Sequence, residues 1–465
     1  MHADTVRRLF GSGRLDALDI AALFAERQLT PLALTQACLR AAQTSEGVFI
    51  TLTEQRALAE AAASTARWES GAPLSALDGI PVAWKDLFDL AGTVTTAGSA
   101  TRRQAPVAEK DAPVVARLTQ AGMVNIGKTN LSEFAFSGLG LNPAFGTPVI
   151  KDRQGEPHAP GGSSSGSARA VAEGLACIAL GTDTAGSIRI PAAFSGITGF
   201  RASRHRYDAS AVFPLAASLD TLGPLCHSVR EALALDAILT GDTASPTETP
   251  HFRADPDLLA QAEPEVREQA SRQLDRLAAQ GYRVEYAPVR AFHQALAWID
   301  DHGWPGALEA WQRHAALLAS PAADRMDPMI RSRLQASAQL DPATREIFLA
   351  QRERWQSAMR AELDGAVLIA PTVAHTAPRL APLTADAALF AQTNRATLRL
   401  TMPGSLLDMP GVALPCGVDR NGLAISLLLS LPCGDDRRLL MAAKTAAEIF
   451  TTGTSVASPL SRSPD

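Results

Sequence analysis

The stretch Pro160 to Arg201 reads P-G-G-S-S-S-G-S-A-R-A-V-A-E-G-L-A-C-I-A-L-G-T-D-T-A-G-S-I-R-I-P-A-A-F-S-G-I-T-G-F-R. Two Ser-bearing, Gly-rich turns flank a short apolar segment. The first is Gly161-Gly162-Ser163-Ser164-Ser165-Gly166, the second Gly181-Thr182-Asp183-Thr184-Ala185-Gly186-Ser187. Between them, Ser167 to Ala176 is Ala-rich and predicts a helix. Cys177 to Leu180 predicts a short buried strand. A turn–helix–strand–turn unit returns the chain towards its start. It can bring both serines to one spot, where glycines leave backbone N–H groups open to a ligand.

Outward from this unit the same style continues. Leu77 to Phe88 is a turn followed by an apolar strand with Lys85 inside it. Asp111 is expected to cap a helix with Pro113 in its first turn, buried through Val114, Val115 and Leu118 and ended by Gly122. Met123 to Gly127 follows as a strand. Towards the N-terminus, residues 14 to 45 carry helical periodicity, with Ile20, Leu23 and Phe24 on one face. Thr30-Pro31 opens a helix through Ala42, and Ala57 to Trp68 is another. Beyond the centre, Ser218 to Pro224 reads as a loop. Helices follow at Val229–Leu239, at Val266–Ala279 and across much of 290–363. Tyr282, Val284 and Tyr286 alternate as a strand. Val367–Ala370, Val412–Leu414 and Leu423–Leu429 read as buried strands. Leu439 to Phe450 is a closing helix. Helix, glycine and strand in this order predict an α/β layer architecture: one large domain, a mixed twisted β-sheet covered by helices on both faces.

The chain has 465 residues, 46% of them hydrophobic and with a net charge of −5. No linker, charge run or fixed-period repeat divides it, so one large core is expected rather than several. The acidic balance argues against a general nucleic-acid binder. No run of about 18 apolar residues exists, so no membrane span is expected. Residues Met1 to Arg8 lack the apolar core of a signal peptide. The cysteines (Cys38, Cys177, Cys226, Cys416, Cys433) are odd in number and widely spaced. They read as reduced core residues of a cytosolic protein.

Lys85 has a bland reading as a lysine that snorkels from an edge strand. Its neighbours Val82, Trp84, Leu87 and Phe88 favour another. They would desolvate the ammonium and lower its pKa, giving an amine that acts as a base near neutral pH. The Gly/Ser turn lacks the Lys-[Ser/Thr] of a phosphate loop. A serine on a Gly-rich turn, preceded by free N–H groups, suits a nucleophile beside an oxyanion hole. No histidine supports a Ser-His-Asp triad strongly. His158, between Pro157 and Pro160, reads as part of a mobile loop, and His205 and His227 are not placed. Histidine and cysteine spacings offer no metal site. A Ser–Lys arrangement then becomes the candidate chemistry.

Taken together, Lys85 within G-I-P-V-A-W-K-D, the Gly161–Ala168 turn and Gly181–Pro191 resemble the amidase signature family. Ser163 and Ser187 lie 24 positions apart, as in that family's pattern. Gly127–Phe134, Ser218–Pro224, Ala370-Pro371-Thr372 and Leu414–Gly417 resemble its further landmarks, and the likeness runs from about Leu15 to Phe450. It implies a Ser-Ser-Lys triad, with Ser187 as nucleophile, Ser163 bridging after a cis peptide bond from Gly162, and neutral Lys85 as base. Backbone N–H groups of Thr184, Ala185, Gly186 and Ser187 would hold the oxyanion, braced by Ser164, Asp183 and Arg189. No metal or cofactor is implied.

The expected division is helices wrapping the core over 1–70, an amidase signature domain over 71–455 with its catalytic core at about 77–235, and a disordered tail over 456–465. The expected activity is hydrolysis of a small carboxylic or carbamoyl-type amide to acid and ammonia or amine, in the cytoplasm, by a chain that pairs as a homodimer. No nucleic acid or membrane is expected as a partner. The alternatives are the glutaminase subunit of a tRNA-dependent amidotransferase and a non-catalytic protein of the same fold. Two segments depart from the family, Arg201–Arg206 and Ser405–Pro410, and both are expected to border the acyl pocket.

Overall fold

The computed structural model describes residues 2–244 and 248–451, and the tail expected at 456–465 lies outside them. Thirteen strands occur among these residues. In chain order they are β1 (Phe49–Leu52), β2 (Pro81–Lys85), β3 (Val124–Thr129), β4 (Ile150–Lys151), β5 (Pro157–His158), β6 (Ile178–Asp183), β7 (Thr198–Arg201), β8 (Thr221–Cys226), β9 (Phe252–Ala254), β10 (Val284–Tyr286), β11 (Val367–Pro371), β12 (Gly411–Val418) and β13 (Ala424–Ser430). Eleven form one mixed sheet in the order β1-β3-β2-β6-β8-β7-β12-β13-β11-β9-β10, and β4 and β5 pair separately. β3, β2 and β6 run parallel, as do β11, β9 and β10, while the strands between are antiparallel. Helices pack on both faces, as the layer reading requires.

The two faces can be read from one strand. Along β11, Val367 and Ile369 belong to one hydrophobic core, while Leu368 and Ala370 belong to the other. That is the two-residue period of a strand buried on both sides. The first core also takes Val6, Phe10, Ile20, Phe24 and Leu34 from the N-terminal helices, and Leu439 and Phe450 from the last. The second takes Phe292, Ile330, Phe348 and Met359 from the helices between 290 and 363. Among the described residues no helix is long and apolar enough to cross a membrane. All five cysteines are free, four of them buried.

Several local expectations hold. Thr30 caps the helix Pro31–Gln43 through its hydroxyl, and the helices Glu54–Glu69, Val229–Thr240 and Pro264–Ala279 stand where periodicity put them. Others change. Asp111 does not cap the helix Pro113–Gln120; its carboxylate is gripped by both guanidinium nitrogens of Arg56 at 2.7 Å and accepts the N–H of Ala91. The bidentate charged pair with Arg56 engages the carboxylate, and Ala112 rather than Asp111 stands at the cap position. The loop expected at Ser218–Pro224 is half strand: Thr221 onward is β8, between β6 and β7. Gly223 is what lets Phe200 approach, because a Cβ there would lie 1.8 Å from the Phe200 carbonyl oxygen. The central helix starts and ends earlier than expected, at Ser165–Ala172. His158 is buried and fixed rather than mobile, with Nδ1 2.6 Å from the Ala377 carbonyl and Nε2 3.3 Å from Asp152.

Candidate active site

β2 and β6 lie side by side and parallel, with Trp84 opposite Leu180. Their C-terminal ends therefore deliver Lys85 and Thr182-Asp183 to the same edge of the sheet. Open parallel sheets place their ligands at such an edge. The turn before the helix Ser165–Ala172 comes to the same place. Gly162 permits this: its N–H donates to the Gly138 carbonyl at 2.8 Å, and a Cβ would meet Gly140 N at 2.5 Å and Ser137 O at 2.7 Å. The Gly162–Ser163 peptide bond is cis.

Lys85 is fully buried. Its Nζ donates to Ser163 Oγ at 2.6 Å and to Thr182 Oγ1 at 2.7 Å, with the Thr182 carbonyl at 3.4 Å. Burial pushes the amine down to about 7, against the opposing pull of the Asp183 and Asp220 charges. Its sequence neighbours Trp84, Leu87 and Phe88 are buried as well. Desolvation disfavours the ammonium, so a large fraction of free amine exists at neutral pH.

The two serine turns are joined, since the Ser164 N–H donates to the Ser187 carbonyl at 3.1 Å. Among the described residues the Ser164 hydroxyl reaches only the Thr182 carbonyl, at 3.4 Å. Ser187 is 4% exposed, and it lines a cavity of about 470 Å³ together with Thr184, Ala185, Ser137 and Gly138. Gly186 has φ 142°, and a Cβ there would lie 2.3 Å from Thr401 Oγ1. Among the described residues the backbone N–H groups of Thr184, Ala185, Gly186 and Ser187 donate to no protein acceptor. Unpaired backbone donors in succession are the arrangement from which anion-binding concavities are built; of these four residues, Thr184, Ala185 and Ser187 line the cavity.

Buried charge holds this wall. Asp183 takes Arg189 bidentately at 2.8 and 3.0 Å and accepts the Ile188 N–H at 3.1 Å. Burial alone would raise its carboxyl, but the Arg189 and Arg201 charges and these hydrogen bonds hold it at about 2. Arg189 continues to the Thr401 carbonyl (3.1 Å) and Ser405 Oγ (2.7 Å), and Thr401 Oγ1 donates to the Ala185 carbonyl at 2.6 Å. On the other side Thr184 Oγ1 donates to Asp220 at 2.5 Å. Burial raises Asp220 to about 6.

Lys85, Ser163, Ser164, Asp183, Thr184, Ala185, Gly186, Ser187 and Arg189 are therefore gathered in one place. Thr182, Asp220 and Thr401 were missed. Thr182 adjoins Asp183 and Asp220 sits in the quoted Ser218–Pro224 landmark, whereas no local pattern marks Thr401. Neither divergent segment borders the cavity. Ser405 holds Arg189, and Asp408 holds Arg201 at 3.2 Å. Arg204 and His205 line a neighbouring cavity of about 600 Å³ that shares Leu215 with the Ser187 cavity and reaches Thr182 and Asp220. No imidazole is among the residues lining the Ser187 cavity. His227 lies against Phe10, 4.5 Å between ring centroids, and burial pushes it down to about 4.

A family model described as Amidase matches residues 33–440. The chain is 32% identical over 455 residues to a 2-amino-5-chloromuconic acid deaminase of Comamonas testosteroni, covering 92% of this chain and 95% of that one. It is 40% identical over 230 residues to a glutamyl-tRNA(Gln) amidotransferase subunit of Koribacter versatilis, covering 49% of this chain and 47% of that one. A solved structure described as a crystal structure of amidase superposes with a TM-score of 0.82 at 31% identity, covering 93% of this chain and 99% of that one.

Proposed function

The chain belongs to the amidase family, and from that premise we propose that it hydrolyses a small carboxylic or carbamoyl-type amide through an acyl-enzyme on Ser187. The observation that carries this reading is the buried Lys85 amine 2.6 Å from Ser163 Oγ, with its pKa pushed down to about 7.

In the proposed cycle Ser187 Oγ attacks the amide carbon. Its proton passes to Ser163 Oγ, whose own proton passes to Lys85 Nζ. The oxyanion is met by the N–H groups of Thr184, Ala185, Gly186 and Ser187. The C–N bond then breaks as the proton returns along the same relay to the leaving nitrogen. Water attacks the ester, gives its proton to the relay and releases the acid. Asp183 and Arg189 act by keeping the turn in shape. Ser164 contributes through its N–H on the Ser187 carbonyl. The five free cysteines suit the reducing cytoplasm, and a homodimer is the assembly we assign, checked by sedimentation velocity.

The second reading, the glutaminase subunit of a tRNA-dependent amidotransferase, draws on the 40% identity over 230 residues. Like the deaminase and amidase likenesses, this one extends over nearly the whole chain, at 30% identity over 462 residues in another such subunit, so extent does not separate the two readings. One assay separates them: ammonia release from propionamide, glutamine and a carbamoyl compound, with fluorophosphonate labelling of Ser187. Release by the chain alone supports the hydrolase. Glutamine turnover only with added partner chains supports the transferase subunit. No release and no labelling would leave a non-catalytic protein.

A further inference from the structure

The cavity that holds Ser187 carries more positive charge than its own carboxylate balances. Arg333, Arg395 and Arg399 line it, with Asp300 as the acid among its lining residues. Asp300 is taken by Arg399, at 3.1 and 3.2 Å. Arg333, on the helix Pro328–Ser337, pairs with no carboxylate among the described residues. Its Nη1 donates to the Phe136 carbonyl at 2.8 Å, and its guanidinium lies 4.8 Å from the Phe136 ring centroid. Arg395, on the helix Ala387–Leu398, has no ion pair among the described residues either. The two feel each other: burial first, then the Arg395 charge, pushes Arg333 down to about 10.

Two cations facing one cavity, one of them largely out of water, raise the free energy of the empty protein. A neutral ligand would not relieve that. An anion placed between them would, and a carboxylate fits the planar fork of a guanidinium. A third donor stands beside them. Asn394 Oδ1 accepts the Gly138 N–H at 2.8 Å and the Ser137 hydroxyl at 3.0 Å. The Gly138 N–H can only donate, so the amide orientation is fixed. Its NH₂ has no protein acceptor among the described residues, and Asn394 lines the same cavity.

We propose that Arg333, Arg395 and the Asn394 amide form a carboxylate-binding end of the substrate cavity, so that the preferred substrate is an amide whose acyl chain ends in an anion, such as the half-amide of a dicarboxylic acid. This rests on the hydrolase reading above. The neutral part of the acyl chain lies against Leu296, Ile299, Leu398 and Met402.

The test compares kcat/KM for succinamate, glutaramate and adipamate with butyramide, valeramide and hexanamide, using the full chain. At least one acid is expected to exceed its matched neutral amide by about tenfold or more, with the preference shrinking at high salt. In Arg395→Gln and Arg333→Gln that ratio falls by about tenfold, through KM. Taking a ratio cancels any loss of folded protein. Should Arg333→Gln fail to fold, the exposed Arg395→Glu carries the test, with the preference reversed. Neutral amides turned over as well as every matched acid, or a ratio unmoved in the arginine variants, would overturn the proposal. Calorimetry separates failure here from failure of the hydrolase reading. Glutarate should bind wild type and Ser187→Ala alike and lose affinity in Arg395→Glu, whether or not any amide turns over. No glutarate binding to wild type would overturn the carboxylate site itself.

Discussion

Replacing Lys85 with methionine removes the amine and keeps the side-chain volume. At a folded pKa of about 7, half the molecules carry a free amine at pH 7. At the ordinary 10.5, only about one in 3000 would. The wild-type rate, read as ammonia release, should therefore rise with pH, reach half its plateau near 7 and fall away below, because the base works only unprotonated. Lys85→Met should lose between about 100-fold and 10,000-fold at pH 7 and show no plateau there. Stability gives a second reading of the same ionisation. The unfolded lysine holds its proton up to 10.5 and the folded one only to about 7. This group therefore destabilises the fold fully below pH 7, and the penalty fades as pH rises towards 10.5. Between pH 7 and 10 the wild type should gain about 3 kcal/mol relative to Lys85→Met, measured by urea unfolding. A variant within tenfold of wild type at pH 7, a wild-type half-point near 10, or parallel stability curves would refute the base assignment.

Ser187→Ala should abolish ammonia release and fluorophosphonate labelling with the melting temperature within a few degrees of wild type. Gly186→Ala places a Cβ 2.3 Å from Thr401 Oγ1 at a φ of 142°; the turn must shift, and kcat should fall by about 100-fold or more with KM less affected. Arg189→Gln leaves Asp183 buried with Arg201 at 3.7 Å as its remaining ion pair, which should cost about 3–5 kcal/mol by urea unfolding. Asp183 is held at about 2, so in wild type its contribution stands above pH 3.8 and is lost as pH falls from there towards 2. Arg189→Gln should flatten that stretch of the stability curve.

What could be read in advance was local. Lys85 in an apolar run and two glycine-rich turns around a helix carry their signals within a few residues. The same holds for the Thr30-Pro31 cap. What escaped depends on distant partners. Gly223 and Pro224 fall in the Ser218–Pro224 stretch that reads as a loop. The strand forms because the Phe200 carbonyl needs the space that Gly223 leaves. The short helix Arg189–Ser195 was hidden by Pro191, which its first turn tolerates. Asp111 was claimed by Arg56, 55 positions away. Much of the cavity wall comes from helices more than 100 residues past Ser187, and no periodicity announces which face of a helix will meet a serine so far upstream.

Thr401 and Ser405 brace a turn that the ribosome completes more than 200 residues earlier. Until they emerge, the Ala185 carbonyl and the Arg189 guanidinium lack the partners that set the wall's shape. A nascent chain already carrying both serines thus lacks the contacts that hold the Ser187 turn, and on the proposed function a product cut short before Thr401 is expected to release no ammonia.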